Sequence, residues 1–115
     1  MSGETRMNNQ GNDNSQKNIE LSQAAEKAAE FLKTLANPNR LIILGCLLKG
    51  ESCVGDLEKS LSISQSALSQ HLSRMRGEGI LARRRDSQQI FYSICDDRVE
   101  KFLNIAHEFF YNNNR

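Results

Sequence analysis

The sequence is informative first through what it lacks. Its three cysteines, Cys46, Cys53 and Cys95, are an odd number at wide spacing with no CxxC pair, which argues against a disulfide framework and for reduced thiols. No apolar run reaches the roughly 20 residues that span a bilayer, and the first residues lack the apolar centre of a signal peptide. These absences predict a cytoplasmic protein with no membrane partner.

Motifs of catalysis are also missing. No glycine-rich phosphate loop occurs, and no Ser, His and Asp set or Cys and His pair stands in a supporting motif. We therefore expect a protein that is not an enzyme and that needs no cofactor.

The net charge is small, but the charged residues are unevenly distributed along the chain. The net charge of +1 is uninformative about nucleic acid. However, residues 64–92 contain five arginines and two acidic residues, so that this segment has a charge of +3 and the rest of the chain −2. A nucleic-acid-binding surface is recognised by such a local excess of positive charge.

The first half of the chain predicts a tail and three helices. Residues 1–18 are rich in Asn, Gln, Gly and Ser, which predicts a disordered tail, followed by one domain over residues 19–111 and a short C-terminal tail over 112–115. A first amphipathic helix ends at Asn37-Pro38, where an apolar second helix begins and is expected to be buried on nearly every side. A short third helix follows, with Ser52 as its possible cap.

The stretch "SQSALSQHLSRMRGEG" predicts a fourth helix with an unusually polar surface. Ser64 is suited to cap it, and Leu68, Leu72 and Met75 form a single narrow apolar stripe. Next, "ILARRRDSQQIFYSI" predicts a β-hairpin from its alternating, β-prone residues. A last amphipathic helix closes the chain, with Asp96 and Asp97 suited to its positive N-terminus.

This order of elements predicts a mainly helical winged helix-turn-helix, in which the polar fourth helix enters a DNA major groove. Glutamine pairs with adenine, arginine with guanine, and serine with bases or phosphates. For the fourth helix, the alternative is a face that is merely solvated. For Arg83, Arg84 and Arg85 in the hairpin, it is a strand edge whose charges prevent pairing with another strand. For His71, it is a packing role. The candidate DNA-binding residues are Ser64, Gln65, Ser66, Ser69, Gln70, His71, Ser73, Arg74, Arg83, Arg84, Arg85 and Gln88.

The first and last helices have more apolar surface than one small domain needs. Pairing across a two-fold axis would bury the surplus and present two recognition helices about one DNA turn apart, as an inverted-repeat site in double-stranded DNA requires. The alternative is that both helices pack on their own core. The candidate residues of the homodimer interface are Leu21, Ala25, Ala28, Leu32, Phe102, Ala106, Phe109 and Phe110.

From about residue 24 to residue 110 the sequence resembles the ArsR-type winged-helix repressors, in particular the branch of nodulation, haemolysin and biofilm regulators. The segments that carry the resemblance are "LANPNRLIIL", "SCVGDL", "LSQSALSQHLSRMRGEGIL" and "QQIFYSI". The resemblance implies a homodimer that represses transcription from an inverted-repeat promoter site.

The residues that sense signals in this family are largely replaced. Cys53 matches one metal-binding cysteine, but Gly55 stands where its partner would be, and the last helix begins without the Asp-x-His of another metal site. The cysteine positions of the sulfide-sensing members hold Gly45 and Tyr111. We expect no metal site, and the sequence does not identify an inducer. The alternative is a redox- or persulfide-responsive repressor that uses Cys46, Cys95 or both.

Overall fold

A computed structural model describes residues 11–112 of the chain. The elements along these residues are α1 (Gly11–Leu35), α2 (Pro38–Leu47), β1 (Ser52–Cys53), α3 (Val54–Ser60), α4 (Gln65–Gly77), β2 (Leu81–Asp86), β3 (Gln89–Ile94) and α5 (Asp97–His107), which continues as a π-helical turn over Glu108–Asn112. The predicted winged helix-turn-helix is confirmed, with one strand more than expected. Within the described range, no helix is both long and apolar enough to cross a bilayer.

The chain divides into one unit that ends at Lys33 and a second that begins at Thr34. The first unit contains most of α1, which is longer than predicted: residues 11–18, assigned from sequence to the tail, are helical, whereas residues 1–10 lie outside the described range. Poor apolar content shows only that a segment cannot contribute to a core. An exposed extension of an existing helix needs no core, because each added residue completes another backbone hydrogen bond.

The beginning of α2 follows the prediction, but its burial does not. The Asn37 side chain accepts a hydrogen bond from the Arg40 backbone N–H at 3.1 Å, with Pro38 in the first turn. Only one face of α2 is buried, through Ile43, Leu44 and Leu47. The expectation of burial on nearly every side is wrong, since Ile42 is 50% and Leu48 38% exposed.

The strand β1 is the element that sequence reasoning missed. It pairs antiparallel with β3, through Ser52 opposite Tyr92 and Cys53 opposite Phe91, and gives a sheet of order β1-β3-β2. Ser52 therefore does not cap α3. The cap position belongs to Cys53, whose side chain makes no capping hydrogen bond.

The apolar stripe predicted for α4 is its buried face. Leu68 and Leu72 are 1% exposed and Met75 is fully buried. The helix begins as expected, with the Ser64 hydroxyl accepting a hydrogen bond from the Ala67 backbone N–H at 3.1 Å. It ends at Gly77, and the chain turns away at Gly79, whose φ of 81° is a left-handed conformation that glycine adopts without steric cost.

The hairpin and α5 complete the second unit. The hairpin has a two-residue turn at Ser87 and Gln88, in which Ser87 has a φ of 59°, the conformation that the first position of a II′ turn requires. Asp96 caps α5 by accepting a hydrogen bond from the Arg98 backbone N–H at 2.9 Å. Beyond the buried Val99 and Leu103, the end of this helix exposes large apolar side chains: Ile105, Phe109, Phe110 and Tyr111.

Candidate nucleic-acid interface

The face of α4 opposite its apolar stripe is polar and exposed. The hydroxyl of Ser64, the N-terminal cap, already accepts a hydrogen bond from the Ala67 backbone N–H, and it lies 3.4 Å from the hydroxyl of Ser66. No acidic residue occurs within the helix. The predicted reading residues on this exposed face are Gln65, Ser66, Ser69, Gln70, Ser73 and Arg74.

One flank of α4 faces the wing, which is the hairpin formed by β2 and β3. Ser69 and Ser73 line a groove whose opposite side is formed by Arg83 and Gln88, with Gly55 of α3 also contributing. The fold therefore brings together two sets of residues predicted separately from the sequence, one on a helix and one in a hairpin. Hydroxyl and guanidinium donors facing the same groove suit base edges and phosphates.

The three arginines of the wing divide between the two faces of the sheet. Arg83 lies opposite Tyr92 and Arg85 opposite Ile90, so that these two alternate with Arg84, whose side chain points to the other face. Arg83 and Arg85 are exposed. The sequence did not show which way each arginine points. In the structure, Arg83 and Arg85 lie on one face of the sheet and Arg84 lies on the other.

Arg84 is held by partners within the protein. Its guanidinium donates to both carboxylate oxygens of Glu51, at 2.7 and 2.8 Å, and lies 4.6 Å from the ring centroid of Phe91. The hydrogen bond from Arg84 lowers the pKa of Glu51, and in return Glu51 raises the pKa of Arg84. This side chain therefore fastens the wing to the segment before β1, 33 residues earlier in the chain.

The other flank of α4 faces the beginning of α2. The Nε–H of Arg40 donates to Nδ1 of His71 at 3.1 Å, and its Nη1 donates to the Thr34 carbonyl at 2.9 Å. Burial lowers the pKa of His71, and the charge of Arg40 lowers it further. Because Nδ1 accepts this bond, the neutral ring has its proton on Nε2. Of the two roles predicted for His71, the contacts favour tying the helix to its neighbours.

Arg74 is paired with the residue that caps the end of α4. Its Nε donates to Oε2 of Glu78 at 3.0 Å, and the buried Thr34 hydroxyl donates to the other oxygen of that carboxylate. The Thr34 hydrogen bond, and then that from Arg74, lowers the pKa of Glu78. An exposed helical pair of this spacing contributes only about 0.3–0.5 kcal/mol, so a DNA acceptor can replace Glu78 as the partner of Arg74.

Sequence reasoning missed Arg40. It lines an open groove with Gln70, His71 and Arg74, among others. The only signal was its place in "LANPNRLIIL", one of the segments that carry the family resemblance. Its contact with α4 could not be seen there, because His71 is 31 residues further along the chain.

The three cysteines are free thiols in different environments. Cys53 is buried, Cys46 is half-buried, and Cys95 is exposed, with its thiol 3.3 Å from the Gly79 carbonyl oxygen. Among residues 11–112, no group of three or more His, Cys, Asp or Glu side chains is placed to hold a metal ion.

Comparison with known proteins decides the family. Residues 37–83 match the model described as "Bacterial regulatory protein, arsR family". The chain is also 38% identical over 91 residues to the transcriptional activator HlyU of Vibrio cholerae, covering 79% of this chain and 84% of that protein. The chain belongs to the arsR family. As a member of that family it is a DNA-binding transcriptional regulator.

Two further similarities support this assignment within the arsR family. The chain is 52% identical over 79 residues to the nodulation protein NolR of Rhizobium meliloti, covering 69% of this chain but only 65% of that protein. The crystal structure of NolR from Sinorhizobium fredii superimposes with a TM-score of 0.72 at 47% identity, covering 79% of this chain and 91% of that one. The predicted resemblance to the nodulation and haemolysin regulators is confirmed.

Proposed function

We propose that this arsR-family regulator acts as a homodimeric repressor on an inverted-repeat operator in double-stranded DNA. Each α4 lies in a major groove and reads bases through Gln65, Gln70 and the serines between them, while the wing contacts the backbone. The protein binds DNA in the cytoplasm and catalyses no reaction.

The observation that carries this proposal is the exposed face of α4. Gln70 lies among Ser69, Ser73 and Arg74 on that face, so that amide, hydroxyl and guanidinium groups are available together. A merely solvated helix face usually has pairs of Glu and Lys, and α4 contains neither residue. Amide and guanidinium side chains that are free to reach outwards are those that distinguish base pairs in the major groove.

Exposed apolar side chains support the homodimer. At the end of α5, Ile105 is 51%, Phe109 59% and Tyr111 67% exposed. In the other unit, Leu21 of α1 is 68% exposed. Apolar side chains of this size, exposed close together on one helix, are typical of protein–protein contacts. Sedimentation equilibrium of the full chain should give the mass of a dimer.

Selection of binding sites from a random pool of double-stranded DNA tests the proposal. The enriched sites should form an imperfect inverted repeat with half-sites about one helical turn apart, and binding should weaken steeply as salt rises. A reporter gene placed behind an enriched site should be repressed when the protein is expressed. Equal affinity for enriched and scrambled DNA would contradict sequence-specific recognition.

The exposure of Cys95 favours a second candidate, a repressor that responds to oxidation or persulfidation of its thiols. Treatment with polysulfide should then modify Cys95, as detected by non-reducing mass spectrometry, and should lower the affinity for the operator. The variant Cys95→Ser serves as the control and should keep its affinity after treatment. If all three thiols stay unmodified and binding is unchanged, the thiol-sensor hypothesis is wrong.

A further inference from the structure

We infer that Arg40 is a DNA phosphate contact, on the flank of the recognition helix opposite the wing. This inference rests on the proposed insertion of α4 into a major groove. It adds to the interface a residue that lies outside both the helix-turn-helix and the hairpin.

The two flanks of α4 face different parts of the protein. A helix in the major groove lies between two phosphate backbones, one on each side. Ser69 and Ser73 border both the groove lined by Arg83 of the wing and the open groove lined by Arg40. His71 borders only the second groove and is bonded to Arg40. Because His71 follows Ser69 by two residues, it lies about 200° around the helix from Ser69, on the opposite flank. With Arg83 on one side and Arg40 on the other, each backbone has a cation to contact.

Arg40 has donors to spare for a phosphate. A guanidinium carries five N–H donors; one is bonded to His71 and one to the Thr34 carbonyl. Among the described residues, no further hydrogen bond to this side chain is present, and the side chain lines the open groove beside Gln70 and Arg74. The remaining N–H groups can therefore meet an acceptor that enters this groove.

The two internal bonds also fix the direction of the guanidinium. Because Nε and Nη1 are both held, the plane of the group is set before any ligand arrives, and little side-chain entropy is left to lose on binding. Arg74, which lines the same groove, is already paired with Glu78, so that Arg40 adds a positive charge to this flank. An anion is thus attracted to this flank.

Replacement of Arg40 by alanine tests the inference through the salt dependence of binding. Affinity for a selected operator and for scrambled DNA should be measured by fluorescence anisotropy over a range of salt concentrations. Removing one phosphate contact reduces the slope of log K against log[salt] by about 0.9, so a dimer without Arg40 in either protomer should show a slope shallower by about 1.8. We expect this change for both DNAs, together with at least a tenfold decrease in affinity in low salt.

Two variants separate contact from positioning. Lys101→Ala removes the same charge from an exposed position on α5 and should leave the slope unchanged. Arg40→Lys keeps the charge but cannot make both internal bonds; its affinity should fall severalfold and its slope should stay the same. Circular dichroism establishes that each variant is folded.

An Arg40→Ala protein that is folded and keeps the wild-type salt slope would overturn the inference, whether or not its affinity falls, because a residue that only positions α4 releases no counterions. Failure of the proposed function is a different result: the wild type itself would then bind operator and scrambled DNA equally.

Discussion

The recognition helix and the wing use their polar side chains in different ways. On α4, Gln70 and Ser73 are exposed on the face that we propose contacts DNA, and Arg74 is paired at the surface with Glu78. In the wing, Arg84 is bound to Glu51 through two hydrogen bonds. Side chains that read bases must be free to exchange partners, whereas a hairpin that contacts the backbone must be held in place. Arg84 thus fastens the wing, and in the proposed complex the opposite face, with Arg83, contacts the DNA backbone.

The largest effect should come from removing the support of the reading surface. Leu72 is 1% exposed beneath α4, and replacement by alanine leaves a cavity, so the free energy of unfolding should fall by about 2–5 kcal/mol. Urea denaturation measures this change. The control is Ser73→Ala, the exposed neighbour, which should be nearly neutral for stability. Equal stability of the Leu72→Ala variant and the wild type would show that α4 is not held by its apolar stripe.

The next largest effect tests whether α4 reads bases. Gln70→Ala should weaken operator binding by about 1–3 kcal/mol, because it removes an amide that pairs with a base edge, while binding to scrambled DNA stays nearly unchanged. Anisotropy titrations with both DNAs measure the ratio of the two affinities. A parallel decrease for both DNAs would contradict base reading by this residue.

The wing arginines should differ in a smaller but clear way. Arg83→Ala should weaken binding to operator and scrambled DNA alike and reduce the salt slope by about 0.9 for each phosphate that is no longer neutralised. Arg84→Ala should leave the slope unchanged, since its charge is already paired with Glu51, and should act only by loosening the wing. The same salt titration compares the two variants. An equal reduction of slope in both would place Arg84 on the DNA as well.

The smallest effect concerns pH and His71. Its pKa is lowered in the folded protein, so the unfolded chain binds its proton more readily and stability is lost as pH falls below the ordinary value of about 6.5. His71→Asn keeps an acceptor but does not titrate, and should lose less stability between pH 7 and pH 5. Urea denaturation at a series of pH values compares the two proteins. Parallel curves would show that His71 does not contribute.

Local signals in the sequence were sufficient for most of the fold. Asn37-Pro38 and Ser64 marked helix starts because capping depends on neighbouring residues, and the spacing of Leu68, Leu72 and Met75 predicted the buried face of α4. The strand β1 was missed because two residues are too short to show a period of two. Its pairing with Tyr92 and Phe91 is a tertiary contact.

The candidate site was predictable by residue type but not by partner. The polar composition of α4 predicted the exposed face that we propose reads bases, and the alternation of the hairpin implied that its arginines divide between two faces. Which of them is bound within the protein depended on Glu51, and the position of Arg40 beside α4 depended on its contacts with His71 and Thr34. Contacts between distant segments leave no periodic pattern in a sequence, and so these assignments required the structure.

The proposed division between base reading by α4 and backbone contact by the wing is tested most directly by one salt titration of Gln70→Ala and Arg83→Ala on operator and scrambled DNA. Gln70→Ala should reduce the ratio of operator to scrambled affinity and keep the wild-type salt slope. Arg83→Ala should keep the ratio and reduce the slope. If both variants change the ratio and the slope together, α4 and the wing do not have the separate roles proposed for them.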